Sequence, residues 1–263
     1  MAPVMKQTTV SDGVTIAYTI FEGVEPAAVI LHGLAGRSRE FIPTAEALSG
    51  RRVILVDQRG HGLSTTRPSD TSRSAFVSDV VHVISEETSE PVILVGQSMG
   101  AHTAMLVAAA RGDLVRQLVL LEGNEGGGTA SEHSALGDFF RSWQIPFSDR
   151  ADAAAALGDG PLARAWVEDL DERPDGLHPR FDADIMQATA EAMGEPRWTE
   201  WEAIEAPTLV IYADGGMFTE EQKSEFVRRG RNARRIDVTA ASHDAHLDAF
   251  DQWIGALRTV LAD

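Results

Sequence analysis

The sequence predicts an α/β protein whose mostly parallel, doubly wound sheet carries one helical insertion. Short apolar runs alternate with helical stretches along most of the chain, and this alternation stops once, between about residues 124 and 203. Strands that alternate with helices favour a parallel sheet covered on both faces. We therefore expect a core domain made of residues 1–123 and 204–263, with residues 124–203 inserted as a helical unit.

The predicted strands are apolar runs that are too short to be helices. A Ser-Asp-Gly turn at residues 11–13 precedes the first run and suggests an antiparallel hairpin at the sheet edge. Most of the other runs are apolar on both faces, as expected for buried strands of a parallel sheet. In chain order the runs cover residues 14–20, 27–31, 53–56, 92–95, 118–121, 208–212 and 235–239.

The predicted helices fill the intervals between these runs. The last helix has the clearest periodicity, because Leu247, Phe250, Ile254 and Leu257 recur at helical spacing and form one apolar face. The helices cover roughly residues 38–48, 73–87, 99–111, 218–229 and 246–262.

The insertion is rich in alanine and contains no run typical of a strand. Its helices are expected to begin at Ser131, at Ser148 or Asp149, at Pro161 as a first helical residue, and at Asp182. A connection of about 80 residues is too long for an ordinary loop. We therefore expect helices throughout the insertion.

The composition excludes several functional classes. The chain has 263 residues, no cysteine and a formal net charge of −17. It therefore has no thiolate chemistry, and its charge opposes binding to nucleic acids and anionic membranes. The longest apolar run, residues 104–110, is much shorter than the ~20 residues of a membrane helix. We expect a cytoplasmic monomer or homodimer, in which the arginine-rich residues 228–235 form a solvated helix end.

Candidate chemistry begins at Gly96-Gln97-Ser98-Met99-Gly100, which has the pattern G-x-S-x-G. The motif lies between a predicted strand and a predicted helix, the context in which it presents a nucleophile. A serine on such a turn has strained backbone, and the two glycines let neighbouring backbone approach closely. The Met99 amide, at the start of the helix, can stabilise an oxyanion. The alternative is a tight turn with an incidental serine.

This motif and three other segments resemble the α/β-hydrolase fold superfamily along nearly the whole chain. Residues 31–38, LHGLAGRS, are similar to the family's His-Gly loop, and residues 56–64, VDQRGHGLS, resemble its D-x-R-G-x-G-x-S stretch. The insertion falls where family members carry a cap. Residues 241–247, ASHDAHL, resemble the loop that delivers the catalytic histidine.

The resemblance implies a catalytic triad with Ser98 as nucleophile and His243 as base, and an oxyanion hole formed by the amides of Leu34 and Met99. The alternative for His243 is a surface-loop histidine. A metal site is not expected, because the histidines and aspartates of residues 243–248 lack a second ligand cluster with metal-like spacing. No glycine-rich phosphate loop is present in the sequence, so we expect no cofactor.

The acid of the triad is less obvious. In most relatives it is the aspartate of a G-x-x-D pattern, and Gly216 aligns with that position. Some members of the superfamily instead place the acid after the strand that follows the elbow helix, where this chain has Glu122. We therefore predict Glu122 as the acid that pairs with His243. Asp214, near the end of the next predicted strand, is the alternative acid, and Glu125 is a further one.

The cap is the expected source of specificity. It holds eight of the 17 aromatic residues, which favours an apolar lining over the site, although a helical cap also needs aromatic residues for its own core. The histidines at positions 32 and 102 also have structural alternatives, in a turn motif and in helix packing. The candidate lining residues are His32, Gln97, His102, Phe140, Trp143, Trp166 and Met217.

Three functions follow as hypotheses. The first is a serine hydrolase that cleaves a small or medium-sized hydrophobic carboxylic ester or lactone through an acyl-enzyme. The second is a carbon-carbon bond hydrolase of the ring-cleavage type, whose members typically keep the aspartate that is missing at position 216. The third is a non-catalytic ligand-binding homologue, which the presence of serine, histidine and carboxylate disfavours.

Overall fold

A computed structural model describes residues 2–261 of the chain. Eight strands form one sheet in the order β1-β2-β4-β3-β5-β6-β9-β10, and β7 pairs with β8 in a separate hairpin. The strands are β1 (Val4–Thr9), β2 (Thr15–Phe21), β3 (Val24–Leu31), β4 (Arg51–Asp57), β5 (Val92–Gln97), β6 (Val115–Leu121), β7 (Asp171–Arg173), β8 (Gly176–His178), β9 (Thr208–Gly215) and β10 (Ala233–Ser242).

Helices cover both faces of the large sheet, and five more, α4 to α8, follow β6 and precede β9 along the chain. They are α1 (Ile42–Ala47), α2 (Arg73–Glu87), α3 (Met99–Ala110), α4 (Ala130–Arg141), α5 (Arg150–Leu157), α6 (Pro161–Asp169), α7 (Ala183–Glu191), α8 (Trp198–Ala203), α9 (Glu220–Arg229), α10 (Ala245–Asp248) and α11 (Phe250–Leu261).

The sheet is parallel except at its first two junctions. β1 pairs antiparallel with β2, and β2 pairs antiparallel with β4, which confirms the predicted edge hairpin. From β4 to β10 all neighbours are parallel. The carboxyl ends of these strands therefore meet at one edge, where parallel sheets bind ligands.

Two apolar cores separate the sheet from its helices. Alternate residues of β3 belong to different cores: Val29 and Leu31 pack on the side of α2 and α3, whereas Ala28 and Ile30 pack on the side of α1 and α11. This follows from the strand period of two. The fold is the predicted doubly wound α/β architecture.

The insertion differs from the prediction in one respect, because it is not entirely helical. β7 and β8 form an antiparallel hairpin, with Leu177 buried and bonded across to Phe147. Three-residue strands with mostly polar side chains have no alternation to detect in sequence. Main-chain pairing and the burial of Leu177 stabilise the hairpin instead.

The predicted helix starts in the insertion are close to those observed. α5 is capped by Asp149, α6 begins at Pro161, and α7 is capped by Asp182. α4 begins earlier than expected, because Thr129 rather than Ser131 is its cap and forms a capping box with Glu132.

The arginine-rich stretch lies at the end of α9 and the start of β10, and most of its arginines pair with carboxylates. Arg229 pairs with Glu202, and Arg235 pairs with Glu220 and Asp237. Within residues 2–261, no helix is both long and apolar enough to cross a bilayer.

Candidate active site

Ser98 lies on a sharp turn between β5 and α3. Its backbone has φ 53° and ψ −117°, a strained conformation for a residue with a side chain. The flanking glycines are required by space: a Cβ at Gly96 would lie 2.2 Å from the carbonyl oxygen of Gly100, and a Cβ at Gly100 would lie 2.3 Å from that of Leu31. The turn therefore depends on both glycines of the G-x-S-x-G motif.

Two backbone amides are available beside Ser98. Met99 is the first residue of α3, so its N–H has no partner within the helix, and Leu34 lies in the loop after β3. Within residues 2–261, neither amide donates a hydrogen bond to another protein group. Both residues line the same cavity as Ser98. Both amides can therefore donate to a group bound in this cavity.

Glu122 follows β6 directly and is 1% exposed. Its carboxylate accepts hydrogen bonds from the amides of Ala213 (2.8 Å) and Met217 (3.0 Å), and Nδ1 of His243 lies 3.3 Å from Oε2. Burial alone would raise the pKa of Glu122, but these three partners outweigh burial and hold the pKa below its usual range. The buried carboxylate is therefore ionised and fully partnered.

His243 lies immediately after β10 and lines the same cavity as Ser98. A carboxylate at Nδ1 favours the tautomer protonated on that nitrogen, which leaves Nε2 to accept a proton. The side chain of Gln97 holds this loop, because its Nε2 donates to the carbonyl of His243 and to Oδ1 of Asp244, both at 3.3 Å.

The alternative acids do not contact His243. Asp214 accepts hydrogen bonds from the amides of Ala240 (2.9 Å) and Ala241 (3.1 Å), so it supports the end of β10. Glu125 is partly buried, which raises its pKa. Among the described residues, no hydrogen bond joins either carboxylate to His243.

Gly216, which aligns with the aspartate of the G-x-x-D pattern, lies against the carboxylate of Glu122. A Cβ built at Gly216 would be 2.3 Å from Oε1 of Glu122. Glu122 therefore fills the space in front of Gly216, where the sequence resemblance would otherwise place the acid.

A cavity of about 310 Å³ lies between the sheet edge and the insertion, with Ser98 and His243 in its wall. Four of the residues predicted to line it do so, namely Gln97, Phe140, Trp166 and Met217.

The structure places three other predicted lining residues outside this cavity. His32 is fully buried, with Nδ1 2.7 Å from the carbonyl of Gly33 and with Nε2 accepting from the amide of Gln58. Trp143 packs in the core of the insertion among other aromatic rings. His102 is buried with its Nε2 against the backbone at Gly126, and burial, with nearby arginine charges, lowers its pKa to about 3.

Several lining residues escaped the sequence prediction. His133 and Leu136 lie with Phe140 on one face of α4, at positions i, i+3 and i+7, and Met193 follows α7. The spacing on α4 is a signal that an amphipathic helix faces the site. Glu40 and Asp244, which also line the cavity, have no comparable local pattern.

Two contacts hold the insertion against the loop after β3. Nε1 of Trp166 donates to the carbonyl of Ala35 at 3.0 Å. Arg37 pairs with Asp169 at the end of α6, and also with Asp57 at the end of β4. The loop that contains the Leu34 amide is therefore bound to α6.

Known proteins are similar to this chain along most of its length. Residues 28–256 match the Alpha/beta hydrolase family. The chain is 30% identical over 266 residues to the sn-1-specific diacylglycerol lipase ABHD11 of Mus musculus, an alignment that covers 94% of this chain and 85% of that protein.

Solved structures show the same fold. E-2-(acetamidomethylene)succinate hydrolase is similar with a TM-score of 0.90 and 21% identity over all of both chains. The enol-lactonase from Burkholderia xenovorans LB400 has a TM-score of 0.80 and 22% identity, over 98% of this chain and 100% of that one. The chain belongs to the alpha/beta hydrolase family, and it is a hydrolase.

Proposed function

We propose that this protein is a serine hydrolase that cleaves a small or medium-sized, uncharged and hydrophobic carboxylic ester or lactone. The observation that carries the proposal is the contact of Glu122 with His243, whose ring opens onto the cavity that also holds Ser98. A serine nucleophile needs a base to take its proton and an acid to orient that base. The three side chains supply these groups.

The reaction proceeds through an acyl-enzyme. Ser98 Oγ attacks the ester carbonyl while Nε2 of His243 accepts its proton, and Glu122 holds the Nδ1–H tautomer and offsets the imidazolium charge. The amides of Leu34 and Met99 stabilise the negative charge that develops on the carbonyl oxygen. His243 then protonates the departing alkoxide. Water, activated by the same imidazole, releases the carboxylic acid from Ser98.

The charges around the cavity favour an uncharged substrate. Among the described residues, its lining includes the carboxylates of Glu40 and Asp244 but no lysine or arginine, and most of the wall is apolar. A dicarboxylate such as the one named for the succinate hydrolase would find no lysine or arginine in this wall to pair with, and burying a carboxylate unpaired would be costly. The neutral lipid named for the diacylglycerol lipase agrees better with this wall.

Labelling with a fluorophosphonate probe tests the nucleophile. The wild-type protein is expected to react, and Ser98→Ala, which removes one hydroxyl and no core volume, is expected to fold and remain unlabelled. A folded wild-type protein that does not react would leave only ligand binding as a function.

A substrate panel tests the bond that is cleaved. We expect turnover of p-nitrophenyl esters of uncharged acids and of lactones, with loss of turnover in Ser98→Ala. Cleavage of vinylogous diketones with no ester turnover would establish a carbon-carbon bond hydrolase instead and would contradict the proposal.

A further inference from the structure

Lys223 is a buried cation on the inward face of α9. The residue is 6% exposed, and Phe226, three residues further along the same helix, belongs to the apolar core. Lysine is almost never buried to this extent unless its charge is paired. In the part of the chain that the structure describes, no carboxylate pairs with Lys223, and Glu220 on the preceding turn binds Arg235 instead. The burial of this ammonium group therefore has a cause other than an ion pair.

The ammonium group is bound to the end of β9. Nζ of Lys223 donates to the carbonyl of Ala213 at 2.7 Å and lies 5.4 Å from the centre of the Tyr212 ring. The same carbonyl accepts from the amide of Gly216 at 3.2 Å, which closes a turn over residues 213–216. A hydrogen bond from a charged donor is roughly twice as strong as one between neutral groups. Lys223 therefore fixes the start of this turn to α9.

This turn positions both amides that bind the Glu122 carboxylate. Ala213 is its first residue, and Met217 follows its last residue. Their amides donate to the two carboxylate oxygens of Glu122, at 2.8 Å and 3.0 Å. Both donors move with the turn, so a change in its conformation changes the orientation of the carboxylate that His243 contacts.

The end of β6 is fixed to the same place on β9. The hydroxyl of Tyr212 donates to the carbonyl of Gly123 at 2.9 Å, directly after Glu122. The backbone of Glu122 has φ 50°, an uncommon value for a residue with a side chain. Such a conformation persists only where the surroundings determine it. The ammonium of Lys223, within cation–π distance of the Tyr212 ring, is part of these surroundings.

We propose that Lys223 is a positioning residue for the acid of the triad: its ammonium group fixes the turn at residues 213–216, so that two amides orient Glu122 toward His243. The inference rests on the proposed function, because it takes Glu122 as that acid. Lys223 does not line the cavity at Ser98, so it acts on turnover rather than on substrate binding. A displacement of about 1 Å in the reacting groups can lower a rate about 10²-fold.

Kinetics with p-nitrophenyl butyrate test this role. Lys223→Met keeps most of the side-chain volume but removes the ammonium group, and it is expected to lower kcat at least about tenfold and to change KM less than about threefold. Lys6→Met, at the other lysine of the chain, which is exposed and pairs with Glu87, is the matched control and is expected to keep the wild-type kcat. Circular dichroism checks folding, and Lys223→Gln takes the same test if Lys223→Met does not fold.

A double-mutant cycle separates this role from a purely structural one. In the Glu122→Gln background, Lys223→Met is expected to lower kcat less than about threefold further, because the group that Lys223 orients is already lost. An unchanged kcat in Lys223→Met, beside a large loss in Glu122→Gln, would overturn the inference and leave the proposed function intact. Losses that multiply in the double variant would also overturn it, since Lys223 would then act independently of Glu122.

A crystal structure of Lys223→Met tests the inference without a substrate. The turn at residues 213–216 is expected to be displaced, with at least one of the two amide contacts of Glu122 lost. Two unchanged contacts would overturn the inference. A wild-type protein that turns over no ester would instead contradict the proposed function, and the structure of the variant would then test by itself whether Lys223 orients Glu122.

Discussion

At the scale of single residues, Glu122 is an acid whose burial is compensated by three donors. Two of them are backbone amides, of Ala213 and Met217, and these belong to β9 and the loop that follows it. Amides cannot change their protonation, so they hold the carboxylate ionised and in one orientation. The third donor, His243, receives a fixed partner for its Nδ1. A neutral side chain of the same shape would lose that function.

Glu122→Gln is therefore expected to lower kcat for a p-nitrophenyl ester by about 10³- to 10⁴-fold, because the amide favours the wrong imidazole tautomer. Asp214→Asn is the matched control and is expected to change kcat by less than about fivefold, since Asp214 bonds to the β10 backbone. Circular dichroism checks that both variants are folded. Small and equal losses in the two variants would refute Glu122 as the acid.

At the scale of elements, the ends of β6 and β9 lie next to each other near His243, and here only the end of β6 supplies an acid, Glu122. β6 and β9 are adjacent and parallel, so Glu122 and the residues after Gly215 lie side by side. The space in front of Gly216 is filled by the Glu122 carboxylate, 2.3 Å from where a Cβ would be. One acid therefore excludes the other.

This geometry predicts an exchange of the acid between strands. Gly216→Asp alone is expected to reduce ester turnover, because the new side chain collides with Glu122. In the Glu122→Gly background, which lacks the acid, Gly216→Asp is expected to restore kcat by at least about tenfold, through a carboxylate in the vacated space. Gly216→Asn in the same background has the same shape without charge. Equal recovery with asparagine would contradict the exchange.

The contact between the insertion and the loop after β3 also belongs to this scale. It includes two carboxylates that bind the same arginine. Asp169 and Asp57 share Arg37. Burial raises the pKa of Asp169 to about 6; the charge of Asp57 adds to the rise and Arg37 opposes it. The folded protein therefore keeps a proton that the unfolded chain releases near pH 4. This residue favours folding below about pH 4, and that contribution is lost as the pH rises through about 6.

Asp169→Asn removes this titration. We therefore consider the difference in unfolding free energy, variant minus wild type. This difference is expected to be about 2 to 3 kcal/mol larger at pH 7 than at pH 4. Urea unfolding at the two pH values measures it. Asp175→Asn, at a mostly exposed carboxylate of the β7–β8 hairpin, is the control and is expected to show no such increase. If this difference in unfolding free energy is the same at both pH values for Asp169→Asn, Asp169 is ionised from pH 4 to pH 7 and the prediction is wrong.

At the scale of the whole molecule, a formal charge of −17 surrounds a cavity whose lining, among the described residues, includes two carboxylates and no lysine or arginine. A field of one sign repels substrates of the same sign before they reach the site. The net charge and the cavity wall therefore act in the same direction.

We expect the field to be measurable as a salt dependence of selectivity. At low ionic strength, kcat/KM for an uncharged ester is expected to exceed that for a succinate monoester of the same alcohol by at least about tenfold. The ratio is expected to narrow at 0.5 M NaCl, where the Debye length is below about 8 Å. The uncharged ester alone serves as the control for direct effects of salt on the protein. A ratio that does not change with salt would assign the selectivity to the cavity wall only.

The amino-acid sequence by itself determined the alternation of strands and helices, the edge hairpin and the Ser98 turn. Each of these depends on a local pattern: apolar runs of strand length, a Ser-Asp-Gly turn, or two glycines spaced around a serine. His243 and Glu122 were also found in the sequence, as residues that follow strands. Their contact is a property of parallel topology, which brings the carboxyl ends of β6 and β10 to one edge.

The tertiary structure decided which of the expected side chains face the cavity and which do not. His32, His102 and Trp143 were expected there, yet burial and packing turn them into the interior, while His133 and Met193 line the wall. The polar β7–β8 hairpin and the position of the Glu122 carboxylate in front of Gly216 could not be predicted from the sequence either. In each case the deciding quantity is the space left by residues distant in sequence, because close packing admits only one arrangement of side chains. Local periodicity contains no measure of that space.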